Sequence, residues 1–159
     1  MTASDGSSKS RCSGESWEML AIAPETIDIM LTDINEEGMK KVEDGAGIVY
    51  GNNMRLMVPL VCERSIRGSP KVVIFLVDTG SMPSFLSRKT IEALINKEDP
   101  FPEFIRLHIQ TEDEVVECSL SNPAGHFPDA NVLGMKALVH LGLSIEIDKK
   151  KMTFQLVQR

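Results

Sequence analysis

The stretch KVVIFLV at residues 71–77 runs straight into Asp78 and then turns through Thr79, Gly80 and Ser81. It is rich in β-branched residues and shows no polar–apolar alternation. Such a run reads as a strand buried on both faces, which already demands a domain with layers on either side of it. An ionised carboxylate at the end of a buried strand is costly unless it is paired or hydrogen-bonded. Asp78 is therefore either a solvent-facing turn residue or an acid placed there for a purpose. By itself Asp-Thr-Gly is a weak signal, because Asp and Gly are favoured in ordinary β-turns.

The flanking sequence narrows the choice. Upstream, MRLMVPLVCE alternates Leu56, Val58, Leu60 and Cys62 on one face, a half-buried strand. Pro59 places that strand at an edge or beside a bulge. Downstream of the turn, SRKTIEALINK has Ile91, Leu94 and Ile95 at helical spacing, with Ser87 as candidate N-cap. FIRLHIQ and VVECSL read as strands joined by the acidic turn TEDE. NVLG is a short apolar strand closed by Gly134, MKALVHL reads as a short helix, and LSIEID and MTFQLV form a hairpin around a lysine turn. The chain from residue 48 to 159 is thus one mainly β domain with one or two short helices. Residues 1–16 read as a flexible tail or a cut end. Residues 17–47 read as an extension and linker, in which Ile27, Leu31 and Ile34 fit a helix while Ile27, Ile29 and Leu31 fit a strand.

Composition excludes several functions. The net charge is −6, and no basic stretch exceeds the three lysines 149–151, so binding to nucleic acid or to an anionic membrane has no support. No apolar run reaches spanning length, and the N-terminus lacks the apolar centre of a secretory signal. Three cysteines, Cys12, Cys62 and Cys118, are widely separated, as expected of reduced thiols in a cytoplasmic or nuclear chain. His108, His126 and His140 have no ligand spacing, so neither a metal nor a cofactor is expected.

The ordered combination of a strand ending in VDTGS, a following FLS that opens a helix, a distant NVLGM and a closing strand pair resembles the retropepsin family of single-domain aspartic proteases. The resemblance spans about residues 48 to 157 and implies a closed acid-protease β-barrel working as a homodimer, since only one Asp-Thr-Gly is present. It implies that Asp78 is catalytic and cleaves a peptide or polyprotein substrate with its symmetry mate. Thr79 would bond across the dimer axis, Gly80 would let backbone approach the carboxylates, and Ser81 could offer its hydroxyl to Asp78. Val132, Leu133 and Gly134 would pack beneath the catalytic loop. Members of the family cover the site with a hairpin flap; here QTEDE is the expected hairpin tip, and the flap is expected to be short, displaced or absent. The terminal strand KMTFQLVQR is expected to pair within its own hairpin, with interleaving between subunits as the alternative. A fold-preserving dimer without catalysis is the second functional reading.

Overall fold

A computed structural model describes residues 45–66, 68–110, 113–122, 124 and 129–158. The tail at 1–16, residues 17–44 of the extension, and Cys12, Gly125 and His126 lie outside the described residues.

Among the described residues nine strands and two helices follow one another in the order β1 (Ala46–Tyr50), β2 (Arg55–Arg64), β3 (Lys71–Asp78), β4 (Ser84–Leu86), α1 (Arg88–Leu94), β5 (Phe104–Ile109), β6 (Val115–Leu120), β7 (Asn131–Gly134), α2 (Met135–His140), β8 (Leu143–Asp148) and β9 (Thr153–Gln158). The fold is therefore mainly β. The sheet runs β3-β7-β4-β6-β5-β2, and β2 pairs again with β3, so these six strands close into a barrel. A closed ring leaves its strands no exposed edge. From β2 the sheet continues outward through β1, β9 and β8.

The apolar run does what its composition requires. Every residue of β3 between Lys71 and Asp78 is buried. On the inward face Val73, Phe75 and Val77 meet Val58, Leu60 and Cys62 of β2, Leu107 and Ile109 of β5, and Leu133 of β7. Burying a side chain of this kind stabilises a fold by about 1.5–3 kcal/mol. Pro59 sits opposite Ile74 in β2, between the residues that pair with β1 (Arg55, Leu56 and Met57) and those that pair with β5 (Cys62, Glu63 and Arg64). There the second edge of β2 has no ladder, so a residue without an N–H is tolerated.

Two local features differ from expectation. The stretch 43–47 is not wholly linker: β1 begins at Ala46, and Gly47 packs where an added Cβ would strike the Met57 carbonyl and the Phe154 ring. The Phe-Leu-Ser sequence is not all helix entry, because residues 84–86 form β4, a bridge between β6 and β7. Ser87 does cap α1, its side chain accepting from the Thr90 N–H at 3.2 Å.

The end at which the hairpin tip lies follows from strand direction. Gln110, the first residue of QTEDE, follows Ile109, which pairs with Cys62. Cys62 also pairs with Lys71, at the end of β3 remote from Asp78, whereas Leu56 pairs with Val77 beside it. β3 and β5 both run antiparallel to β2, so β5 heads towards the Asp78 end of the barrel and the β5–β6 turn leaves from that end, the end from which a hairpin would cover Asp78. β4 is antiparallel to β7 and so runs away from Asp78, and the segment between β4 and β5, with α1 and an irregular stretch, leaves from the remote end of the barrel. That stretch is fastened by an Arg64–Asp99 ion pair at 2.7 Å and by Arg88 stacked 4.1 Å from the Phe101 ring centre.

Both C-terminal strands pair locally. β8 and β9 match residue for residue from Leu143↔Gln158 to Asp148↔Thr153, and the other edge of β9 pairs with β1.

Candidate active site

Asp78 is the last residue of β3 and is half-buried. Its carboxylate is held by its own loop: the Gly80 N–H donates to Asp78 Oδ1 at 2.9 Å, and the Ser81 N–H donates to the Asp78 carbonyl at 3.1 Å. A carboxylate that accepts a backbone N–H keeps a fixed orientation while its other oxygen stays open. Thr79 and Gly80 form the exposed crest of this loop. The Thr79 hydroxyl makes no hydrogen bond among the described residues.

Ser81 departs from expectation. Its hydroxyl donates to the Pro83 carbonyl at 2.8 Å, so it braces the descending limb of the loop and does not serve Asp78.

β7 lies parallel to β3, with Leu76↔Val132, Val77↔Leu133 and Asp78↔Gly134. Val132 also pairs with Phe85 of β4, and Leu133 is fully buried in the barrel core. Gly134 is therefore the residue beside the acid. An added Cβ would run into the carbonyls of Met82 and Pro83, so only glycine lets the loop close down on β7. The backbone on either side of Gly134 holds the loop. The Gly134 N–H donates to the buried Ser84 hydroxyl at 2.9 Å, the Met135 N–H to the Ser81 carbonyl at 2.6 Å, and the Lys136 N–H to the Met82 carbonyl at 3.0 Å. The first N–H groups of a helix have no partner within it; here the first turn of α2 spends two of them on the loop that carries Asp78.

Sequence reasoning missed two supports. Asn131, 1% exposed, donates from Nδ2 to the Ile74 carbonyl at 3.1 Å and accepts from the Ser87 N–H at 3.0 Å. It ties β7 to β3 and to the cap of α1. Ser84 is the second. Each is the polar first residue of a short strand, which marks the position but not the distant group it bonds. Among the described residues no group of three His, Cys, Asp or Glu side chains converges as metal ligands would, and no helix is long and apolar enough to cross a membrane.

No family pattern matches the chain, and no curated protein matches it. A solved structure is similar to it: the crystal structure of a retropepsin-like aspartic protease from Rickettsia conorii, at 18% identity over 73% of this chain and 92% of that chain, with a TM-score of 0.43.

Proposed function

We propose that the chain is an aspartic endopeptidase that works as a homodimer. The supporting observation is the seating of Asp78: a half-buried carboxylate at the end of a core strand, oriented by the Gly80 N–H, in a loop clamped by Gly134 and the first turn of α2. A turn residue with no role would not need that scaffold.

One chain holds a single Asp-Thr-Gly, so the second acid comes from a second copy across a two-fold axis. Two carboxylates held close cannot both ionise and share one proton, and their titration belongs to the pair. The ionised Asp78 takes a proton from a water, whose oxygen bonds to the scissile carbonyl carbon. The protonated Asp78 gives its proton to the carbonyl oxygen. The tetrahedral diol then collapses: the ionised carboxylate takes a proton from one diol hydroxyl, the C–N bond breaks, and the other carboxyl passes its proton to the leaving nitrogen. Thr79, exposed on the crest of the loop, is placed to bond to its counterpart and fix the two loops. No group beyond the two acids and water enters this scheme.

The Asp78→Asn variant tests the reading. Cleavage of a peptide library should be lost while the circular dichroism spectrum is retained; cleavage at the wild-type rate would falsify the assignment.

A second reading is a dimerisation scaffold without catalysis. It is favoured by the sequence of the β5–β6 turn, QTEDE, which is acidic and has no glycine where a flap would cover the substrate. A transition-state mimic of the aspartic class separates the two readings. Binding to the dyad raises the melting temperature by mass action, and a scaffold shows no shift.

A further inference from the structure

Three large apolar side chains stand exposed around the Asp78 loop and α2: Met82 at 63%, Met135 at 43% and Val139 at 68%. Chain and hydrogen bonds bring them together. The carbonyls of Ser81 and Met82 accept from the Met135 and Lys136 N–H groups, and Val139 lies one turn on from Met135, on the same side of α2. The opposite side of α2 sends Ala137 and Leu138 into the core. This outward side is therefore not spare surface left by a loosely packed helix.

The terminal strands, the other surface on which two copies could join, are already committed. β9 is paired on one edge with β1 and on the other with β8. The free edge of β8 ends in exposed Glu146, Ile147 and Asp148. Charges on an edge strand oppose strand addition, and pairing two β8 edges about a two-fold axis would crowd the carboxylates of both copies onto one short ribbon.

We propose that a second copy of this chain docks on the Met82, Met135 and Val139 face, so that the dimer is closed beside the acids by α2 and not by the C-terminal hairpin. The occupant is a second copy because the same loop carries Asp78 and Thr79, and an axis that joins two Asp78 side chains brings this face against its own image. The proposal rests on the two-acid reading above.

Sedimentation velocity over a concentration series tests it, with the full chain as wild type, Val139→Glu, Met135→Lys and Ile147→Glu. The wild type should dimerise. Val139→Glu and Met135→Lys should each raise the dissociation constant at least about tenfold, as expected when a buried apolar contact receives an unpaired charge, with circular dichroism unchanged. Ile147→Glu should dimerise like the wild type. Wild-type dimerisation by Val139→Glu and Met135→Lys, or dissociation confined to Ile147→Glu, overturns the docking face but leaves the two-acid reading intact, provided Asp78→Asn is inactive. A wild type that sediments as a monomer at every concentration overturns both.

Discussion

Gly134 lies directly opposite Asp78 across the parallel β3–β7 pair, and no side chain fits at that position beneath the loop. The aspartate is therefore positioned by a residue fifty-six places later in the chain, through the absence of a Cβ. Acid, glycine and helix form one unit: the loop descends onto Gly134, and the next two N–H groups seize its carbonyls.

From that relationship follows the behaviour of Gly134→Ala. The added methyl must push the carbonyls of Met82 and Pro83 away, since both are backbone and cannot rotate aside. Overpacking of this kind costs about 1–3 kcal/mol. The melting temperature should fall accordingly. Peptide cleavage, where Asp78 is catalytic, should drop further than lost folded fraction explains, because the loop is displaced. Activity that tracks the folded fraction alone would show that the loop tolerates the shift.

Ser81→Ala separates two roles for one hydroxyl. The group donates to the Pro83 carbonyl, not to Asp78. Its loss should cost about 0.5–1.5 kcal/mol of stability, the net worth of one ordinary hydrogen bond. The pH profile of peptide cleavage should stay where it is. A displaced acidic limb in that profile would mean that Ser81 turns to the acid when substrate binds.

Asn131→Leu keeps the volume of a buried side chain and removes its polar atoms. The Ile74 carbonyl and the Ser87 N–H would both be left unsatisfied in the core. At about 1–3 kcal/mol for each such group, the loss is on the order of 2–6 kcal/mol. Urea denaturation of the variant should show a lower midpoint with an unchanged slope. A midpoint equal to the wild type would mean that water reaches both groups.

How much of this could be read from residues alone follows from the range of the interactions. The β3 run was legible because seven consecutive residues carry its pattern, and Gly134 was legible because a lone glycine after two aliphatics signals close backbone approach. Ser87 announced its helix through a partner three residues away. Asn131 gave no comparable sign, since its partners stand 57 and 44 positions away. The three residues of β4 are too few to show a period and merged with the helix behind them. QTEDE is legible as a turn, but which end of the barrel it occupies depends on β5 running antiparallel to β2, a fact of pairing that no local pattern encodes. Ser81 was misassigned for a related reason: from sequence, the Asp78 carboxylate and the Pro83 carbonyl are equally near acceptors.

The buried thiols supply a pH signature independent of catalysis. Burial, with Cys118 nearby, pushes the Cys62 thiol well above its ordinary 9.0. Burial, with Glu117 adding its charge, pushes Cys118 up to about 12. Both stay protonated in the fold at pH values where the unfolded chain has released the proton. The folded state then binds more protons than the unfolded one, so stability falls as pH rises. The contribution is complete below about pH 9 and is lost progressively as pH climbs towards about 12. At about pH 10.5 the Cys118 share of that loss is on the order of 2 kcal/mol, from 1.36 kcal/mol per pH unit above the ordinary value. Denaturation midpoints at about pH 8 and about pH 10.5 check this, with Cys118→Val as the control for lysines and tyrosine that titrate in the same range. The variant should lose less stability than the wild type between the two conditions. Mass spectrometry after alkylation of the native protein near neutral pH should find Cys62 and Cys118 unmodified, and both modified once urea unfolds the barrel. Equal pH slopes for wild type and variant would show that the Cys118 thiol is reached by water in the folded state.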